Sequence, residues 1–296
     1  MKIPRFLRRA AIPALALPAL ALLAALPGCS PAALLNATVS EQGLAVARAV
    51  PYGPAPRQAL DIWRPATSAE NLPVVVFFYG GAWQNGERQD YTFVAANLAR
   101  RGHVVVVPDY RVHGQAPYPT FLQDAAAAVA AARRLAPDHG GDPARLVLMG
   151  HSAGAHIAAM LALDPRWLEA AGEDRARIAG LVGLAGPYDF LPIVRRDIIA
   201  VFAPAADARE TQPVTFADRN APPALLLHGR ADTTVLPRNS QSLAERLAAA
   251  GAPATLRLYD GVGHVGIVLG FARLTRATSP ALDDAAGFIA TLAPRG

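Results

Sequence analysis

Apolar positions along the chain repeat with two periods, one of strands and one of helices. LPVVVFFYGG (residues 72–81) and HVVVVPDYR (103–111) hold continuous apolar runs of strand length, as expected of strands buried on both faces. RLVLMGHS, IAGLVGLAG, PALLLHG and ATLRLYDG repeat the theme toward the C-terminus, and GLAVARAVPYG with QALDIWRP reads as an antiparallel pair ahead of them. Between these runs lie helical stretches: DYTFVAANLARRG, the alanine-rich TFLQDAAAAVAAARRLAP, SAGAHIAAMLAL, SQSLAERLAAAG and SPALDDAAGFIATLA. Thr120 and Gln123 have capping-box spacing. Ser279 reads as an N-cap, with Pro280 at the first helical position.

Strands alternating with helices predict one α/β domain over residues 43–296, built on a mostly parallel eight-stranded sheet flanked by helices. Only residues 187–222 interrupt the rhythm, as a proline-punctuated excursion with room for one or two short helices and little lid. In such sheets the chemistry collects at the carboxyl ends of the strands, so candidate residues are sought just after each apolar run.

Charge changes the picture at the N-terminus. The chain of 296 residues carries a net charge of +5, but four of its 28 basic residues fall in the first nine positions and no acid precedes Glu41. Without that segment 24 basic residues face 23 acidic ones, which leaves no electrostatic footprint for nucleic acid. Residues 1–28 pair the cationic MKIPRFLRR with an apolar run, as an export signal does. The only cysteine, Cys29, follows in LPGCS, which resembles the lipobox of bacterial lipoproteins, although Pro27 departs from it. The expectation is a lipidated Cys29, a tether over 29–42, and an exported cell-envelope protein, otherwise periplasmic or secreted. One cysteine also excludes a disulfide framework.

Gly150-His151-Ser152-Ala153-Gly154 is G-x-S-x-G, set between an apolar strand and a helix. That is the strand–turn–helix setting a nucleophile elbow requires, and it makes Ser152 the candidate nucleophile. A serine hydroxyl needs a base. Of the seven histidines, His264 follows the last strand in a glycine-flanked loop, whereas His151 points elsewhere at the elbow, and His156 and His228 read as packing or structural. The imidazole needs an acid to orient it. Asp232, just past PALLLHG, is preferred to Asp260, which sits four residues before His264. No metal-ligand spacing and no G-x-G-x-x-G fingerprint occurs, so no cofactor is expected.

GHSAGAHIAAMLA, HGRADTTV and the loop histidine resemble the α/β-hydrolase esterases from about residue 45 to the C-terminus. The resemblance is to the hormone-sensitive-lipase, feruloyl-esterase-like and kynurenine-formamidase-like groups. These carry H-G-G-x-W after the third strand, where this chain has Tyr79-Gly80-Gly81-Ala82-Trp83. They also carry Tyr-Arg after the fourth (Tyr110-Arg111) and Tyr-Asp after the sixth (Tyr188-Asp189). The resemblance implies a serine esterase acting on small ester substrates, with an oxyanion hole formed by the backbone N–H groups of Gly81, Ala82 and Ala153. Tyr79, Trp83 and Tyr188 are the candidate pocket residues. The rival expectations are an amide-cleaving enzyme of the same fold, such as an arylformamidase or small peptidase, and a catalytically inactive binding protein.

Overall fold

Eight strands form a single sheet in the order β1-β2-β4-β3-β5-β6-β7-β8. In chain order they are β1 (Leu44–Pro51), β2 (Ala59–Pro65), β3 (Leu72–Phe78), β4 (Val104–Pro108), β5 (Gly141–His151), β6 (Gly180–Leu184), β7 (Ala224–Gly229) and β8 (Ala254–Tyr259). The computed structural model describes residues 31–67 and 69–295. The export segment and Cys29 lie outside them. β2 runs antiparallel to both β1 and β4, and every pairing from β4 to β8 is parallel. The mostly parallel eight-stranded sheet expected from the apolar runs is the one observed.

Burial explains which runs were continuous and which alternated. The valines of β4 and every residue of β6 and β7 are buried, because helices cover both faces of the sheet there. β8, at one edge, alternates in part between half-buried and exposed positions. The helices are α1 (Pro31–Asn36), α2 (Thr92–Ala99), α3 (Thr120–Leu135), α4 (Ala153–Leu163), α5 (Pro165–Ala170), α6 (Arg196–Phe202), α7 (Arg238–Ala249), α8 (His264–Leu269) and α9 (Ala281–Thr291). α4 is buried along its whole length. Its small residues let it lie close on the sheet, directly behind the end of β5. Among the described residues no helix is long and apolar enough to cross a membrane.

Three details differ from the sequence reading. α3 starts at Thr120 with Pro119 at its N-cap position and no side-chain cap, so the Thr120–Gln123 box does not form. α9 starts one residue later than expected, with Pro280 at the N-cap position, because the Ser279 hydroxyl donates to the Ile267 carbonyl at 3.0 Å instead. Part of the expected tether is helix α1. Leu35 is buried, and Asn36 bonds the main chain at Gln89 (2.6 Å) and Phe93 (3.2 Å).

Candidate active site

The turn from β5 into α4 places Ser152 at φ 56°, ψ −124°. A non-glycine residue is strained there by roughly 1–3 kcal/mol and persists only where its surroundings hold it. The surroundings do so by close approach. A Cβ on Gly150 would lie 2.3 Å from the Gly154 carbonyl, and one on Gly154 would lie 2.0 Å from the Phe78 oxygen. Both positions therefore exclude side chains, and the Ser152 N–H donates to the Leu184 carbonyl at 2.9 Å. The hydroxyl stands off the strand end, half-buried.

His264 opens α8 just past β8, and its Nε2 lies 2.9 Å from Ser152 Oγ. Its Nδ1 lies 2.7 Å from Asp232 Oδ2, so the ring spans the two other candidate residues. Asp232 is buried, and its second oxygen accepts the N–H groups of Thr234 and Val235, each at 2.9 Å. His228 Nε2 approaches Oδ2 at 3.2 Å. Burial alone would raise the Asp232 pKa. The hydrogen bonds from His228, His264 and the Val235 N–H outweigh it and hold the carboxyl well below the usual carboxylate range. Asp260 is exposed and pairs with Arg230 at 2.9 Å, away from His264.

The loop after β3 reaches the serine from the other side. Ala82 and Trp83 have φ of 53° and 59°, and Gly81 has φ 134°. A Cβ on Gly81 would sit 2.1 Å from the Asn85 oxygen, and one on Gly80 would touch Ser152 Cβ at 3.1 Å. The Gly81 carbonyl closes this left-handed turn by accepting the N–H groups of Gln84 (3.0 Å) and Asn85 (2.9 Å). Among the described residues no acceptor takes the N–H of Gly81 or Ala82. Ala153 is the first residue of α4, where a helix leaves its N–H free. Ala82 and Ala153 border the same cavity as Ser152, of about 240 Å³; Gly81 borders a neighbouring groove.

The cavity lining is largely apolar: Trp83, Pro187, Phe190, Pro192 and Ile198 form much of it. Trp83 is fixed from behind, its indole N–H donating to His156 Nδ1 at 3.2 Å. The other two candidate pocket residues do not line it. Tyr188 turns inward, filling the space beside Gly183 and Gly186. Tyr79 points beneath the glycine loop, donating to Asp109 Oδ1 (2.9 Å) and accepting from Arg57 Nη2 (3.0 Å). Arg57 also bonds the carbonyls of Gly86 and Tyr110. Tyr110 and Arg111 act as braces: the Tyr110 hydroxyl donates to the Tyr79 carbonyl, and Arg111 holds Asp124 through Nε and Nη2.

Sequence reasoning read His228 as structural without giving it a partner. His228 Nδ1 lies 2.7 Å from Ser240 Oγ, so its ring buttresses Asp232 from α7. Its place at a strand end, four residues before Asp232, was the available signal.

Residues 60–247 match the model of one protein family, described as BD-FAE. The chain belongs to the BD-FAE family. Its curated relatives include a probable isoprenylcysteine alpha-carbonyl methylesterase, ICME, of Oryza sativa subsp. japonica. That protein is 33% identical over 76% of this chain and 59% of its own length. Esterase LipC of Mycobacterium tuberculosis is 32% identical over 68% of this chain and 55% of its own length. This BD-FAE chain thus spans little more than half the length of the relatives it matches. Among solved structures, esterase 2 of Thermogutta terrifontis superposes in the form phosphonylated by sarin. Its TM-score is 0.70 at 25% identity, over 86% of this chain and 98% of that one. The butyrate-bound form of that esterase gives a TM-score of 0.69 at 25% identity, over 86% and 97%. The sheet and the helices around it are the α/β-hydrolase fold.

Proposed function

We propose that this BD-FAE chain is a serine carboxylesterase cleaving short-acyl or aryl esters. The observation that carries the reading is the continuous chain of contacts from Ser152 Oγ through His264 to Asp232, at 2.9 and 2.7 Å, opening into a small apolar cavity. Esterase relatives and an esterase structure with bound butyrate support it.

In this mechanism Ser152 Oγ attacks the ester carbonyl as its proton passes to His264 Nε2. Asp232, held ionised, stabilises the imidazolium and fixes the tautomer. The developing oxyanion accepts the N–H groups of Gly81, Ala82 and Ala153, and donors that the fold holds in place before the reaction cost no reorganisation. His264 returns the proton to the leaving alcohol or phenol, leaving an acyl-serine. A water then loses its proton to His264 and attacks the acyl carbon, and the acid departs as Ser152 regains its hydrogen. A cavity of about 240 Å³ lies below the usual range for drug-sized ligands, roughly 300–1,000 Å³, which favours short acyl chains.

Hydrolysis of p-nitrophenyl butyrate by wild type and Ser152→Ala tests the reading. Loss of about 10⁴-fold or more in kcat is expected, with a fluorophosphonate labelling only the wild-type protein. Undiminished turnover by Ser152→Ala would sink it. For location, we propose export with a lipid anchor at Cys29, a reading that rests on the sequence alone. A mass increase consistent with acylation, absent from Cys29→Ala, is the expected result.

A further inference from the structure

His151 immediately precedes the candidate nucleophile, yet it takes no part in the bonds joining Ser152, His264 and Asp232. Its side chain is buried, and both ring nitrogens are engaged. Nε2 lies 3.0 Å from the main-chain oxygen of His264, and Nδ1 lies 3.3 Å from the Tyr91 hydroxyl. The same hydroxyl receives the Gly80 N–H at 3.3 Å.

Counting protons assigns a direction to every bond. A carbonyl oxygen only accepts, so His151 Nε2 carries a hydrogen. Burial, reinforced by the neighbouring His264, holds the His151 imidazole down to about 3. The ring is then neutral at working pH and its Nδ1 accepts. The Tyr91 O–H therefore points at Nδ1, and its lone pair faces the Gly80 N–H. Burial pushes the Tyr91 hydroxyl up to about 12, although the Gly80 bond opposes the rise, so it remains a donor. A single neutral strut runs from Gly80 through Tyr91 and His151 to the main chain of His264.

Its two ends matter. One is the loop that carries the proposed oxyanion donors, and the other is the backbone of the proposed base. The His151 and His264 rings also pack, with centroids 5.0 Å apart at 38°. On the far side lies a groove of about 340 Å³ bordered by Leu35, Gly81, Tyr91, His151 and Val265. The strut reaches the turn bearing His264 from the side of that groove, while Ala231, Thr278 and Ser279 hold the main chain on either side of it at Val262, Gly266 and Ile267.

We propose that His151, acting with Tyr91, is a positioning residue that sets the His264 imidazole relative to the Gly80–Ala82 loop, so that base and oxyanion donors address one carbonyl. This goes beyond the proposed triad and rests on it.

The test is p-nitrophenyl butyrate kinetics with the full chain, expressed per serine labelled exhaustively by a fluorophosphonate. The variants are His151→Leu, His151→Gln, Tyr91→Phe and the double Tyr91→Phe/His151→Leu. A displaced catalytic group costs rate rather than binding. His151→Leu should therefore lose about tenfold or more in kcat with KM nearly unchanged. Glutamine carries an amide N–H close to the place of Nε2, so His151→Gln should recover the larger part. Tyr91→Phe should lose a smaller factor, and the double variant should be no worse than His151→Leu, because both act through one strut. If the ring merely fills space, Leu and Gln will melt earlier alike, with wild-type kcat per labelled serine, and the proposal falls. Should His151→Leu not fold, wild-type kcat in Tyr91→Phe overturns it equally. Labelling of Ser152 in the wild type is read separately, so its absence would sink the triad without reference to these variants.

Discussion

Tyr79→Phe isolates one hydroxyl beneath the glycine loop. The ring itself is fully buried and stacks on Tyr110, with centroids 4.7 Å apart at 19°, so phenylalanine keeps the packing and leaves almost no cavity. What goes is the bond to Asp109 Oδ1 at 2.9 Å and the bond from Arg57 Nη2 at 3.0 Å. Burial, with Asp109 adding to it, keeps the phenol protonated far above its ordinary range, so both bonds persist at any working pH. Each is charge-assisted, worth about 1.5–3 kcal/mol. The partners are not orphaned, since Asp109 Oδ1 still accepts the Arg88 N–H at 2.7 Å and Arg57 still bonds the carbonyls of Tyr110 and Gly86. The expected loss is therefore about 2–3 kcal/mol rather than the sum, or a fall of about 5–10 °C in Tm for a domain this size. Because Arg57 and Tyr79 flank Gly80 and Gly86, the loop should also drift, and kcat should drop by about tenfold while KM holds. Thermal unfolding and p-nitrophenyl butyrate kinetics on the same preparation measure both. A raised KM with unchanged kcat would mean that Tyr79 meets substrate, and an unchanged Tm would mean that the hydroxyl network carries no stability. Either refutes the reasoning.

Asp232→Asn should keep the fold but present His264 with the wrong partner, lowering kcat by about 10³–10⁴-fold; steady-state kinetics check it. Gly81→Ala forces a methyl group to within 2.1 Å of the Asn85 oxygen at a φ of 134°. The turn must move, and loss of a proposed oxyanion donor should cost about 10²–10³-fold in kcat, visible also as slower fluorophosphonate labelling. Stability should depend on pH through His151 and His156, whose pKa values burial lowers to about 3 and about 4. Below about 6.5 the unfolded chain protonates these rings while the folded one does not. The unfolded state then binds more protons, so stability is full above about pH 6.5 and falls toward pH 4 by up to about 1.4 kcal/mol per pH unit for each ring. Urea midpoints at pH 7 and pH 5 measure this, and equal midpoints would contradict it.

The central strands could be read from the chain because helices bury both faces, so β3, β4, β6 and β7 leave runs that need no alternation. The elbow was legible for a related reason: Gly150 and Gly154 sit where neighbouring backbone leaves no room for a Cβ, and that requirement is written directly in residue type. Asp232 could be preferred to Asp260 because Asp260 sits on the same strand end as His264, where a carboxylate reads as a turn cap, whereas Asp232 follows the neighbouring strand. Side-chain direction was harder. Tyr79 and Tyr188 both follow strands at the correct edge, and only the tertiary partners Asp109 and Arg57, or the gap beside Gly183, reveal that they point away from the cavity. Ser279 shows the same limit on a smaller scale, its hydroxyl drawn to Ile267 from a residue twelve positions earlier. The pocket wall from Pro187 to Ile198 carried no signal beyond following β6.

Four histidines crowd this end of the sheet, and their surroundings give them different chemistry. His156 has both nitrogens engaged, one by the Trp83 indole and one 2.8 Å from the Thr211 carbonyl, and burial keeps it neutral. His151 is occupied by Tyr91 and the His264 main chain. His228 is held between Ser240, Val235 and Asp232. Only His264 joins the Asp232 carboxylate to the Ser152 hydroxyl, since the serine that His228 meets is Ser240. In the proposed mechanism a proton leaving Ser152 meets the one ring within reach of its hydroxyl, at 2.9 Å, and Asp232 compensates the charge there at 2.7 Å. On His151 or His156 the same charge would sit in apolar surroundings without a carboxylate in contact. Selectivity for the proposed base thus comes from how His151 and His156 are occupied and, against His228, from the position of His264 itself. By this reasoning, removing His228 should weaken the proposed base even though His228 never touches the serine, since Asp232 would lose one of the bonds that keep it ionised and aimed.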